Sequence, residues 1–347
     1  MHKHGGDIYS HPNFIDFSAN INFLGVPRTV MEAAKSALEE VTHYPQAGSE
    51  QLCHAIAEME RVKTEQVICG NGAADVIFSL VLAEKPKRAL IPAPTFQEYE
   101  QALLSVDCQV EAIPFWNQNT EKADFNRRQF LEKITDETDM VFFCNPNNPT
   151  AILYEREYLM EMLERCTQCG TRLVVDECFL DFVSGAWNIT MKPFLEQYSQ
   201  LFIVKAFTKM FAIPGIRLGY GLCSDVKLLE NMQRVTQPWN VSVIAQKAGI
   251  AVAKESSFIE KTRKAVEEEK KYLLQELQQF PIEVYGYAAN FIFFHGEKGL
   301  EQKLEQHGIL IRNCNNFRGL EEGWYRIAVR TRQENQALIK ILKKYFK

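Results

Sequence analysis

Residues 201–222 read LFIVKAFTKMFAIPGIRLGYGL. Leu201, Phe202, Ile203 and Val204 form an unbroken apolar run, the pattern of a strand buried on both faces. A short loop carrying Lys209 follows, then Pro214-Gly215 and Arg217, then a second apolar run through Gly219 and Gly221. A lysine in a small, largely apolar loop is poorly solvated, which favours its neutral amine and suits it to Schiff-base chemistry. An arginine eight residues further on offers a fork for a dianionic phosphate. Taken alone, Lys209 reads more simply as an ordinary loop lysine, so its chemistry depends on what the rest of the chain sets around it.

Upstream of this stretch, strands and helices alternate from 66 to 222, the pattern of a parallel sheet covered on both faces. Val67-Ile68-Cys69 is a short strand that Gly70-Asn71-Gly72 turns into a helix beginning at Ala73 and Ala74. The free N–H groups and positive end of such a helix make an anion cradle. Ala89-Leu90-Ile91 leads to Phe96 at a strand-to-helix corner, where an aromatic ring would either stack on a planar ligand or plug the core. Met140–Cys144 ends in Asn145-Pro146-Asn147-Asn148-Pro149-Thr150, a rigid loop whose prolines aim amides at one point. A helix across 155–168 is followed by the strand 172–177, which ends in Asp176-Glu177. An acid at the end of a buried strand requires a cation or hydrogen-bond donors.

Before residue 66, positions 1–28 look irregular and polar, with His4-Gly5-Gly6-Asp7 first and Asp16 to Asn22 after. The glycines allow close backbone approach to a ligand, although composition favours a loose arm. Pro27 opens a helix over 28–41, His43-Tyr44-Pro45 breaks the chain, and Leu52, Ile56 and Met59 mark the next helix. Beyond Pro238, residues 242–280 read as one or two long helices with a charged, solvated face. Strands follow at 282–287 and 290–295, a helix at 298–307, strands at 309–312 and 324–329, and a helix over 332–346. The expected organisation is an arm at 1–28, a large domain at 42–240, and a smaller α/β domain from 29–41 and 241–347.

With 347 residues, 46% of them hydrophobic, the chain can bury a large core. A net charge of −5 argues against nucleic acid or an anionic membrane as partner. Nine cysteines without a regular framework suit a reducing compartment, and the lone Cys166/Cys169 pair reads as structural thiols rather than a metal site. No apolar leader and no run of roughly 18 apolar residues is present. A cytoplasmic protein is expected.

Taken in order, Gly70-Asn71-Gly72, Asn145 to Thr150, Asp176-Glu177, Thr208-Lys209 and Arg217 resemble the motifs of fold-type I pyridoxal-phosphate (PLP) enzymes of the aminotransferase class I/II branch. The resemblance spans nearly the whole chain. It implies that Lys209 carries the cofactor and Asp176 pairs with its pyridinium nitrogen. Asn148 would bond its phenolic oxygen and Phe96 would stack on its ring. Ala73, Ala74, Thr208 and Arg217 would hold its phosphate. Tyr44 would reach a neighbouring subunit's phosphate, implying a homodimer with shared sites.

Within the branch, His4-Gly5-Gly6-Asp7, DFSANIN at 16–22, DECFLDF at 176–182, IPGIRLGY at 213–220, ILIRNC at 309–314 and YRIAVR at 325–330 look like the threonine-phosphate decarboxylases of cobalamin biosynthesis. Histidinol-phosphate aminotransferases are near relatives. By this resemblance Arg326 binds the substrate carboxylate, while His4, Gly5, Asn20 and Arg312 gather at a small phosphorylated amino acid, with Asn148 beside it. Arg330 would share the face of Arg326 or serve a structural ion pair. Phe179 stands where aminotransferases commonly carry tyrosine, Ala206 and Ala151 replace a phosphate ligand and a glycine, and Asp7 brings negative charge to the phosphate pocket. The expected activity is decarboxylation of L-threonine O-3-phosphate to (R)-1-aminopropan-2-yl phosphate. The alternatives are transamination of histidinol phosphate or a related amino acid, and a catalytically silent PLP-fold binding protein.

Overall fold

The structure is a computed structural model that describes residues 4–115 and 123–346. In chain order the elements begin with β1 (Ile15–Asp16), α1 (Arg28–Ser36), α2 (Glu50–Glu60), β2 (Val67–Gly70), α3 (Ala73–Glu84), β3 (Arg88–Ala93), α4 (Gln97–Leu104) and β4 (Gln109–Pro114). Next come α5 (Ala123–Glu132), β5 (Met140–Cys144), α6 (Arg156–Cys169), β6 (Arg172–Asp176), β7 (Leu201–Ala206), β8 (Gly219–Cys223) and α7 (Val226–Val235). The last part holds α8 (Val243–Val252), α9 (Ser256–Leu277), β9 (Glu283–Gly286), β10 (Phe291–His295), α10 (Leu300–Glu305), β11 (Ile309–Leu310), β12 (Arg312–Asn313), β13 (Trp324–Ala328) and α11 (Arg332–Tyr345).

The central sheet has seven strands in the order β2-β8-β7-β6-β5-β3-β4. Alternate residues of its strands feed two apolar layers: Val141 and Phe143 of β5 point into one, Met140, Phe142 and Cys144 into the other. That is the reason its strands read as continuous apolar runs. The sheet is mostly parallel, as expected for the large domain, with β8 antiparallel to both neighbours. The segment joining β7 to β8 contains no crossover helix, so the chain returns beside the strand it left.

A second, antiparallel sheet runs β12-β13-β10-β9. The expected strand at 309–312 is two strands in two sheets, because the chain changes partner at Ile311: β11 pairs with β1, and β12 pairs with β13. The first segment is therefore not a loose arm. Ile15 and Asp16 pair in parallel with Ile309 and Leu310, and Gly6 N donates to Ser18 Oγ at 2.7 Å. Gly5 is required there, since a Cβ on it would lie 2.4 Å from the Ser18 carbonyl oxygen. The helix expected over 28–41 is α up to Ser36 and a 3₁₀ turn over Ala37–Glu40, and the run 242–280 is two helices, α8 and α9. Among the described residues no helix is long and apolar enough to cross a membrane.

Candidate active site

The strand ends that carry the motifs converge at the carboxyl edge of the central sheet, the usual ligand crevice of such folds. They border a cavity of about 260 Å³. It is lined by Ala73 and Ala74 after β2, Phe96 after β3, Asn148 after β5, Asp176 ending β6, and Thr208, Lys209 and Arg217 after β7. From the other side His4, Gly5 and Asn20 arrive on the N-terminal segment, and Arg312 and Arg326 on the second sheet. Of the described residues that the resemblance assigns to cofactor or substrate, Tyr44 is the one that does not line this cavity. It is exposed and stacks on Trp239 at 4.4 Å between ring centroids.

Lys209 is buried. Burial, reinforced by the positive charges of Arg326 and Arg217, lowers its pKa to about 8. The neutral amine is thus available near physiological pH. Arg217 adopts φ 60°, a left-handed conformation that costs a non-glycine residue roughly 1–2 kcal/mol. That turn sets its guanidinium against Gly72, which opens α3 at φ 90°; a Cβ on Gly72 would sit 2.5 Å from Arg217 Nη2. Beside it Gly219 of β8 packs so closely on the Ala73 N–H that only a hydrogen fits. The first-turn N–H groups of α3 and the arginine fork form one anion cradle.

Asp176 accepts from the Tyr99 hydroxyl at 2.5 Å and from Cys178 N at 2.9 Å. Burial pushes its carboxyl up against the pull of these donors, and among the described residues no cationic side chain is ion-paired to it. Arg326 donates through Nη1 to Asn148 Oδ1 and through Nη2 to the Ser18 carbonyl at 2.9 Å. Asn148 therefore presents its amide nitrogen as the remaining donor. Two buried groups at the cavity lack partners: both side-chain atoms of Asn20 and Nε of Arg326.

Arg312 and Arg326 are direct partners across the β12–β13 ladder, and both are buried. Like charges directly opposite one another in a sheet are unfavourable. Among the described residues neither has a carboxylate ion-pair partner. Burial lowers the pKa of both, that of Arg326 to about 10. Two buried cations without a counter-ion constitute a site for an anionic ligand.

Several sequence expectations change on these coordinates. Arg330 lies beyond β13, donates to Glu334 at 2.6 Å and does not line the cavity, so the structural ion pair is the role it has. Asp7 also stays outside the cavity, its carboxylate accepting from Ser10 N. The acid that does reach the cavity is Glu98, 3.5 Å from His4 Nδ1. Sequence reasoning passed over Glu98, Tyr99, Ser18, Cys144 and Cys178. Glu98 and Tyr99 follow Phe96 in the first turn of α4, which is the signal that would have found them. Cys166 and Cys169 are free thiols, and no metal-holding cluster occurs among the described residues.

The sequence profile of aminotransferase class I and II matches residues 12–342. The chain belongs to the aminotransferase class I and II family. It is 34% identical over 352 residues to threonine-phosphate decarboxylase of Salmonella typhimurium, covering 98% of this chain and 95% of that protein. It is also 30% identical to histidinol-phosphate aminotransferase of Methanosphaera stadtmanae, over 95% of this chain and 90% of the relative. The crystal structure of histidinol-phosphate aminotransferase from Clostridium acetobutylicum superposes with a TM-score of 0.88 at 28% identity, covering 95% of this chain and 98% of that one. This family member is an enzyme of lyase or aminotransferase type, and the cofactor of the family is pyridoxal phosphate.

The residues present fit that cofactor: an amine whose pKa is lowered to about 8, a buried acid with no ion-paired cation among the described residues, and an anion cradle at a helix N-terminus. One consequence is measurable. Reductive alkylation of Lys209 by an aldehyde in cofactor-free protein should rise with pH about a midpoint near 8, whereas exposed lysines follow their ordinary value near 10.4. Mass spectrometry of the labelled peptide reads this, and a midpoint above 10 would refute the neutral-amine assignment.

Proposed function

We propose that this enzyme decarboxylates L-threonine O-3-phosphate to (R)-1-aminopropan-2-yl phosphate, the reaction that serves cobalamin biosynthesis. The observation that carries the reading is the Arg312–Arg326 cross-strand pair, buried and without a counter-ion among the described residues. A phosphorylated amino acid brings two anionic ends, and two separate cations answer them. The identity to threonine-phosphate decarboxylase over almost the entire chain supports the same choice.

In this reading Lys209 and Asp176 are the catalytic residues. Lys209, Asp176, Asn148, Phe96, Thr208, Arg217, Ala73 and Ala74 hold pyridoxal phosphate. Bound there, the cofactor supplies an electron sink for the pair left on Cα when the carboxylate departs as carbon dioxide. Arg326 grips that carboxylate and fixes its orientation. Arg312, His4, Gly5 and Asn20 take the substrate phosphate, and the unpaired Asn20 amide gains partners in doing so. Lys209, whose amine is released when the substrate amine takes its place on the cofactor, would be positioned to return a proton to Cα. Asp176, held by the Tyr99 hydroxyl, would pair with the protonated ring nitrogen and keep it an electron sink.

Tyr44 lies outside its own cavity, and Leu38, Val41, Tyr44 and Trp239 are exposed apolar groups close in sequence or in contact. This supports a homodimer in which Tyr44 serves the neighbouring subunit's cofactor phosphate.

The similarity to histidinol-phosphate aminotransferases favours transamination as the second reading. That reaction uses the same lysine and breaks the Cα–H bond. Carbon dioxide release from O-phosphothreonine, measured beside keto-acid-dependent amino transfer, separates the two. We expect carbon dioxide without a keto-acid requirement; amino transfer without carbon dioxide would overturn the decarboxylase reading.

A further inference from the structure

Among the described residues the hydrogen bonds of Arg312 go to neutral groups, while the Glu98 carboxylate acts on it through its charge. Its Nη1 donates to the Asn313 carbonyl at 2.7 Å, its Nη2 donates to Asn316 Oδ1 at 2.9 Å, and its guanidinium lies over the Phe317 ring at 5.2 Å. Asn316 is in turn held from the opposite wall of the cavity. Gln97 Nε2 donates to the Asn316 carbonyl oxygen, and Asn316 Nδ2 donates back to Gln97 Oε1 at 3.5 Å. Gln97 is the first residue of α4, next to Phe96, so one helix start carries both the candidate ring-stacking residue and this clasp. Glu100, three residues on, receives Arg318 at 2.6 Å and ties the same two segments a second time.

We propose that Asn316, clasped by Gln97, is a positioning residue that presets Arg312 toward the far anionic group of the substrate and so sets the preference for phosphorylated over unphosphorylated amino acids. The proposal rests on the reading of Arg312 as a phosphate ligand. An arginine side chain loses considerable rotamer freedom when it is fixed, and fixing it before the ligand arrives removes that cost from binding. The chemistry of the holder matters equally. Amide oxygens orient a guanidinium without cancelling its charge, whereas a carboxylate in the same position would orient it and take the anion's place.

That difference gives the test. Asn316→Asp keeps the shape and an acceptor for Arg312 and adds one negative charge. In the holoenzyme we expect KM for O-phosphothreonine to rise roughly ten- to hundredfold, the range of one charge-assisted contact. The kcat, the cofactor absorbance and the turnover of free threonine should stay near wild type. Gln97→Ala should move KM in the same direction by a smaller factor, and should add little to Asn316→Ser. Asn316→Ser, which introduces no charge, serves as the second variant if Asn316→Asp fails to fold. A wild-type enzyme without preference for O-phosphothreonine over threonine would overturn the substrate reading itself. A wild-type preference that persists undiminished in a folded Asn316→Asp or Asn316→Ser enzyme would overturn only the positioning role. If histidinol phosphate is the ester turned over, the same ratio is read against histidinol.

Discussion

Replacing Lys209 by alanine is expected to remove the lysine-dependent absorbance of bound pyridoxal phosphate and to lower turnover by at least roughly 10²–10⁴-fold, the usual contribution of a positioned proton-transfer group, with the covalent anchor lost in addition. Titration of the purified variant with the cofactor and an assay of carbon dioxide release measure both. Retained turnover would remove Lys209 from the mechanism. The same residue predicts an opposite effect on the cofactor-free protein. Its pKa in the fold, about 8, lies below that of an unfolded chain, so burying the protonated form is a cost. That cost is present in full below about pH 8, shrinks as pH rises, and vanishes above the unfolded value near 10.4. Its size is on the order of 3 kcal/mol. Lys209→Met should therefore make the cofactor-free protein more stable near pH 7 and leave it unchanged above pH 11. Denaturant titration at the two pH values measures the difference.

Lys205, four residues earlier in β7 and more deeply buried than Lys209, is expected to behave in the reverse sense. Its Nζ meets Glu60 at 2.9 Å and Asp181 at 3.2 Å. Burial alone would lower its pKa, but these carboxylates and Glu177 raise it well above the ordinary lysine value. Glu60 also receives Lys192 and the Tyr220 hydroxyl. Although burial would push its carboxyl up, Lys205 and Lys192 hold its pKa at about 2. Lys205→Met leaves Glu60 and Asp181 undercompensated in the interior, and removal of one partner of a buried pair typically costs about 3–5 kcal/mol. Chemical denaturation near pH 7 should show a loss of that size. Glu60 contributes stability above its unfolded value near 4.3, and that contribution is lost as pH falls toward 2. The gap between variant and wild type should therefore narrow across that acid range. A loss below 1 kcal/mol at neutral pH would show that Lys192 alone neutralises the site.

Two lysines four residues apart thus differ in depth and in company, and the sequence could not distinguish their environments. Lys209 stood out by its loop and by motifs lying elsewhere in the chain, whereas Lys205 sat inside an apolar run and drew no attention. The strand ends bearing the motifs were legible because apolar runs, glycine turns and prolines are local signals. What escaped was pairing. The facing of Arg312 and Arg326 depends on the change of sheet at Ile311, and the Tyr99 hydroxyl reaches Asp176 across 77 positions. The order of the first segment depends on a strand almost three hundred residues away. Helix α7 is a different case. Asp225 caps it by accepting from Leu228 N, and an N-cap acid before an amphipathic run is a local signal.

The parallel pairing of β1 with β11 also bears on the order of assembly. During synthesis, residues 15 and 16 emerge long before residues 309 and 310, their strand partners, at roughly 5–20 residues per second. For that interval the central sheet can form while the segment carrying His4, Gly5 and Asn20 is still unpaired. The cofactor cradle, built between 73 and 217, is complete well before the groups assigned to the substrate's phosphate. A nascent chain able to capture pyridoxal phosphate before it can enclose a substrate would acquire its reactive centre first and its selectivity last.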